Sequence, residues 1–270
     1  MNADYQSLRE SPIETLRAAI RVGDYTSHTA GLGAGLLQAN LAIMPERYAL
    51  DFMRFCQRNP KPCPLTGVSD TGNPMMVTLG RDIDIRHDVP AYNIYRDGVL
   101  AGESTDIAAL WQDDFVAFAL GCSFTFEHAL EMAGISLWHI QNNTTVPMYR
   151  TTLETTPAGP FSGPMVVSMR MIAPEMLDRV QAICRRYPLA HGAPVHCGAP
   201  EKIGIADIGA PDWGDPVPDE AGKIPVFWAC GVTPQVAVAC ARLPICITHK
   251  PGHMLITDIA EDAEVPVFRP

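Results

Sequence analysis

Apolar and polar positions along this chain repeat with two different periods. Ile13, Leu16 and Ile20 recur at helical spacing, with Ser11 at the cap, Pro12 at the first helical position, Glu14 completing a capping box and Gly23 as the stop. A second helix is expected from Pro45 or Glu46 to about Arg58, ended by the prolines of NPKPCP. Residues 75–100 read as strands and turns, and Tyr92–Tyr95, Arg96-Asp97-Gly98 and Val99-Leu100 predict a hairpin with a type I′ turn. The stretch 105–133 reads as mostly helical with a break near Gly121. Strands are expected at Met148–Leu153 and Met165–Ile172, then a helix from Pro174 to Arg186, making a β-β-α unit.

Further on, Pro225–Cys230 reads as a buried strand and Thr233–Leu243 as a helix capped by Thr233, with Pro234 at its first position. Strands at Ile245–Thr248 and Met254–Thr257 bracket an HKPGH turn. Strand, helix and strand in that order predict an α/β fold with a parallel component. The expected architecture is two unequal layered subdomains with mixed sheets. Residues 1–134 and 191–270 form the main one, and 135–190 a smaller β-β-α-type insertion.

Composition narrows the function classes. The chain has 270 residues, 47% of them apolar, a net charge of −10 and no Lys/Arg cluster, so nucleic acid and anionic membranes are excluded as expected partners. No run approaches the roughly 20 apolar residues of a membrane span. The polar start MNADYQSLRE carries no secretory pattern, and eight cysteines occur without a C-x-x-C pair. Reduced thiols and a cytoplasmic location are expected, which makes the sequons at Asn142 and Asn143 chance matches.

Chemistry-bearing residues concentrate in three polar stretches rich in Gly and Pro: Gly121–Leu130, His191–Asp215 and Ile247–Asp258. Gly31, Gly33 and Gly35 lack the preceding strand and the spacing of a dinucleotide fingerprint, so a tight loop feeding a strand at Leu41–Met44 is expected, with His28 able to face a site. His249 and His253 are separated by Pro251-Gly252, which makes a turn rather than a zinc-binding helix face; no metal is expected. Cys122 and Ser123 would sit at a helix N-terminus, where free N–H groups favour an anion, with Glu127 one turn later. The plainer alternative is a simple cap on a core helix. Arg150 and Arg170 end strand-like runs and fit carboxylates, or else lie at the surface. Asp207, Asp212 and Asp215 are candidate bases or ordinary turn residues.

The ordered segments GCSFTFEHAL, VPMYRT, AGPFSGPMVVSMR, HGAPVH, IGIADIGAPDWGD, PVFWACGVTPQ and ITHKPGHMLITD resemble the D-glutamate cyclase family, whose bacterial members carry a hydro-lyase label. The resemblance covers nearly the whole chain and is densest from about 115 to 258. It implies a cytosolic α/β enzyme without an organic cofactor that closes D-glutamate to 5-oxo-D-proline with loss of water. The family pattern has Asp and Pro where this chain has Ala199 and Met171.

Lactam closure then suggests roles. His196 or His249 would take the amine proton, Glu127 or His253 would protonate the leaving oxygen, and Asp207 is a further candidate base. N–H groups at Ser123, beside Cys122, would hold the oxyanion with Thr248, and Arg150 or Arg170 would anchor the α-carboxylate. These assignments require His196, His249 and Glu127 to share one pocket. Two alternatives stand beside this reading: a hydro-lyase for another small hydroxy or amino acid, and a non-catalytic protein that binds small carboxylates. The expected partner is a small-molecule acid, and a homo-oligomer is compatible with it.

Overall fold

The computed structural model describes residues 4–264. Helices α1 (Tyr5–Arg9) and α2 (Ile13–Arg21) open it, and α2 buries Leu16 and Ile20 as its spacing predicts. The expected capping box does not form. Ser11 instead donates its hydroxyl to Ser7 O at 2.8 Å, because α1 places a free carbonyl within reach. Strand β1 (Leu36–Pro45) is buried almost throughout and runs straight into α3 (Glu46–Arg58), which ends before NPKPCP as expected.

Strand β2 (Leu65–Val68) is followed by the hairpin β3 (Tyr92–Arg96) and β4 (Val99–Ser104). Asp97 and Gly98 take φ of +50° and +80°, as a type I′ turn needs. The next element differs from expectation. Phe115–Gly121 is a strand, β5, not a helix, and only α4 (Phe124–Met132) is helical in that region. Every residue of β5 is buried, so FVAFALG is apolar on both faces and carries no period that separates strand from helix. Helix α5 (Trp138–Gln141), strands β6 (Met148–Glu154) and β7 (Pro164–Ile172) and helix α6 (Leu177–Cys184) follow. The chain finishes with β8 (His196–Cys197), β9 (Ile224–Ala229), α7 (Thr233–Ala241), β10 (Cys246–His249) and β11 (Leu255–Ala260).

Two sheets result. The larger runs β2-β5-β1-β10-β3-β4, with β11 also on β1; the smaller runs β6-β7-β9-β8. The α/β class holds, but each strand pairing among the described residues is antiparallel. The expected parallel step is absent because α7 carries the chain from β9 in the small sheet to β10 in the large one. The small sheet also draws β8 and β9 from beyond residue 190, since the buried strand β7 needs a partner on each side. Thr233 does not cap α7 either; its hydroxyl accepts from Val166 N at 2.9 Å and so ties α7 to β7.

Phe52 of α3 meets Phe118 of β5 and Phe161 edge-on at 4.9 and 5.1 Å, covering one face of the large sheet. Each such buried ring contributes about 1.5–3 kcal/mol. Within the large sheet, Asn40 of β1 donates to Leu120 O and Gly121 O of β5 at 3.1 and 2.9 Å, and the small sheet meets the large one at this amide. Gly231, just past β9, lies so close that a Cβ there would stand 2.0 Å from Asn40 Nδ2. No helix of the described residues is long and apolar enough to cross a membrane.

Candidate functional site

The junction of the two sheets holds an ionic cluster removed from water. Strand β5 delivers α4, whose first turn places Ser123 and Glu127 on one helical face. Strand β7 places Ser168 and Arg170, two apart, on one sheet face. The short helix α5 adds His139. Glu127 Oε1 receives His139 Nε2–H at 2.9 Å and Arg170 Nε–H at 3.0 Å, and Arg170 Nη2 also donates to it. The rest of the guanidinium donates to Ser168 Oγ at 3.0 Å and Ser123 Oγ at 2.9 Å. Arg170 also lies against the rings of Phe126 and Trp228, at 5.3 and 5.1 Å.

The Arg170 and Glu127 side chains are only 2% and 1% exposed. Burial alone would raise the Glu127 pKa, but His139 and Arg170 outweigh it and hold the carboxyl below its usual range. Glu127 is therefore an anion at neutral pH. Its second oxygen, Oε2, has no partner in the protein. A buried carboxylate oxygen without a partner is costly.

A cavity of about 80 Å³ lies between α4 and the loop Gly31–Leu36, and Glu127 lines it. Arg9, His128, Glu131 and Glu261 line it as well. Arg9 pairs with Glu131 at 3.4 Å, and His128 Nδ1 lies 3.3 Å from Glu261. The cavity thus offers one guanidinium and several carboxylates, which complements a zwitterion. Next to the cluster sits His28, buried, with Nδ1 unpartnered and its ring 5.4 Å from that of Tyr5. The HKPGH turn packs on this histidine's segment: Thr29 N–H donates to Gly252 O at 2.8 Å and Met254 N–H to Thr29 Oγ1 at 3.0 Å. Burial lowers the His28 pKa, and burial lowers that of His253 to about 4.

The model of the D-glutamate cyclase family matches residues 116–258, a span that contains the whole Glu127–His139–Arg170 cluster. The chain belongs to the D-glutamate cyclase family. It is 71% identical to a protein of Dinoroseobacter shibae over 98% of this chain and 89% of that one. It is 69% identical to one of Ruegeria pomeroyi over 99% and 97%, and 60% identical to one of a Jannaschia species over 94% and 96%. All three carry the name "Putative hydro-lyase".

Within this family member the predicted site residues divide. Ser123, Glu127 and Arg170 meet. His139 and Ser168 complete the cluster, and sequence reasoning gave neither a role. Ser168 had a signal, since S-x-R in a strand puts both side chains on one face. Several expected roles do not survive. Glu127 is ionised and cannot donate a proton at rest. Arg170 spends its donors on Glu127, Ser123 and Ser168, so it organises the anion rather than waiting for a substrate carboxylate. The Cys122 thiol is pushed far up by burial and is no thiolate, while its N–H is taken by Gln38 O at 2.9 Å.

His249 is also reassigned. Its Nδ1 accepts from Leu41 N at 3.0 Å, filling the gap where β1 changes partner from β11 to β10. Burial drops its pKa to about 3, so the ring is neutral and structural. Thr248 turns its hydroxyl to His249 O at 2.9 Å. His196 lies on β8 of the small sheet, donating Nε2–H to Ala199 O at 2.9 Å. The expected convergence of His196, His249 and Glu127 does not occur, for neither histidine lines the cavity that Glu127 lines. His253 donates Nδ1–H to Pro251 O at 2.9 Å and does not line it either. Asp207 closes its own turn by accepting from Gly209 N at 2.7 Å. Asp212 and Asp215 accept from Arg150 N and Thr145 N, fastening the PDWGD loop. Arg150 lies in a different cleft. Among the described residues no group of three His, Cys, Asp or Glu side chains is placed to hold a metal ion.

Proposed function

We propose that this protein is a hydro-lyase that closes D-glutamate to 5-oxo-D-proline with release of water. The observation that carries this reading is Glu127: a buried carboxylate with Oε1 fixed by Arg170 and His139 and Oε2 free, lining a cavity of zwitterionic character. The membership of the family and the hydro-lyase names of the relatives support the reaction class.

In this mechanism Arg9 takes the α-carboxylate and Glu131 with Glu261 attracts the ammonium, opening the Arg9–Glu131 pair. Glu127 Oε2 receives an ammonium hydrogen. The overall reaction turns an ammonium and a γ-carboxylate into a lactam and water, and both lost protons travel from nitrogen to the leaving oxygen. Glu127 carries them: it accepts from the attacking nitrogen and gives to the departing oxygen, so no outside acid is required. Arg170 and His139 keep the relay anionic between transfers. Holding amine and γ-carboxyl in contact supplies several kcal/mol more, roughly 7 or above in well-oriented cases.

The test is incubation of the purified protein with D-glutamate and chiral separation of 5-oxoproline, with L-glutamate and small hydroxy acids alongside. Glu127→Gln should lose about a hundredfold or more in kcat. Turnover of a hydroxy acid in place of D-glutamate would shift the reading to a different hydro-lyase. Saturable binding without product from any of these acids would make it a carboxylate-binding protein.

A further inference from the structure

A second cleft, of about 570 Å³, opens between the β3–β4 hairpin, β6 and α7, and it shares no lining residue with the Glu127 cavity. Its lining holds two arginines, Arg150 and Arg242, and neither aspartate nor glutamate. In a chain of net charge −10 this is a local reversal of sign, and a concave basic surface concentrates anions. The Arg150 guanidinium lies over the Trp213 ring, 4.9 Å from its centroid. Its Nε forms an ion pair with Asp212 Oδ1 at 3.6 Å, longer than a hydrogen bond, and the half-exposed guanidinium keeps its Nη groups for a ligand. The cation–π contact with the indole restrains the guanidinium at the mouth of the cleft.

Arg242 is held from the backbone. It ends α7 at φ +50°, and the hairpin turn presses on it: a Cβ at Gly98 would lie 3.0 Å from Arg242 Cγ and 2.3 Å from Ala239 O. The lining shared by the two arginines includes the apolar Leu100, Val236 and Ala239, beside Tyr95 and Gln235.

We propose that this cleft is a binding site for a small dicarboxylate, with Arg150 and Arg242 each taking one carboxylate and the apolar side chains of the lining facing the methylenes between. With no acidic residue in the lining and the adjacent Asp212 already paired with Arg150, an ammonium group finds no free carboxylate in the cleft. It therefore takes glutarate or succinate in preference to glutamate, the opposite of the Glu127 cavity.

Cys240 gives a direct probe, because it lines the cleft and is the one exposed cysteine of the eight. Alkylation of Cys240 by the neutral reagent iodoacetamide, followed by mass spectrometry, reads occupancy. At glutarate tenfold above its dissociation constant, labelling should slow about tenfold by mass action. Arg150→Gln and Arg242→Gln should each weaken that protection roughly tenfold or more, the size of a lost charge-assisted pair, with unchanged circular dichroism. D-glutamate should protect less than glutarate. Glu127→Gln should keep the protection, so the result stands whether or not D-glutamate is turned over. No protection at millimolar glutarate, equal protection by inorganic phosphate, or protection that survives both arginine substitutions overturns the proposal.

Discussion

Arg170 Nε lies 3.0 Å from Glu127 Oε1, and the two side chains are 2% and 1% exposed. A charge pair so far from water is stable only while both members are present. Arg170→Met should cost about 3–5 kcal/mol in urea unfolding, because it strands a buried carboxylate. The double variant Arg170→Met/Glu127→Gln should cost clearly less than the sum of the singles, since neither charge is then left alone. Additive losses would show that the two groups act independently.

The buried histidines set the acid limb of stability. Burial lowers His249 to about 3 and His191 to about 4, from an ordinary value near 6.5. The unfolded chain therefore binds protons first as pH falls, so this contribution is complete above pH ~6.5 and is lost towards the folded values. Glu127, also depressed, adds loss in the same direction at lower pH. Each buried histidine should give a slope of up to about 1.4 kcal/mol per pH unit. His249→Asn can keep an acceptor for Leu41 N, and it should flatten the curve between pH 6 and 4 by about that slope while retaining turnover. Loss of turnover in a folded His249→Asn protein would restore His249 to the catalytic set.

Gly231→Ala should loosen the joint between the sheets. The added Cβ would stand 2.0 Å from Asn40 Nδ2 and push the amide off Leu120 O and Gly121 O. Overpacking of this kind costs about 1–3 kcal/mol, with lost hydrogen bonds in addition. A thermal midpoint within a degree of the parent would mean that the Asn40 contact is slack.

Arg9→Gln tests substrate capture in the Glu127 cavity. The pair with Glu131 is partly exposed, at 34% and 28%, so folding stability should hardly change. KM for the amino acid should rise roughly tenfold with kcat little altered, because uniform binding is removed. An unchanged KM would move the α-carboxylate away from Arg9.

Periodic segments with punctuation were readable from the chain alone. The helix at Glu46–Arg58 and the Asp97-Gly98 hairpin appear where their stripe, prolines and turn residues put them. The segment Phe115–Gly121 was not readable, because a strand buried on both faces leaves no polar face to reveal its period. The cluster was half readable. Ser123 and Glu127 share a helix turn, and Arg170 in an apolar strand demanded a partner, but nothing local said that the partner would be Glu127, 43 residues away.

By itself the sequence determined the family, the α/β class and the presence of a carboxylate at the start of a helix, since these rest on local order and residue chemistry. Only the tertiary structure decided which histidines could act. His249 was absorbed into a strand junction and His196 into the small sheet, while His139 came from a short, weakly patterned helix to meet Glu127. The physical reason is that proton affinity and hydrogen-bond partnership depend on burial and on neighbours brought from far along the chain, and residue spacing encodes neither.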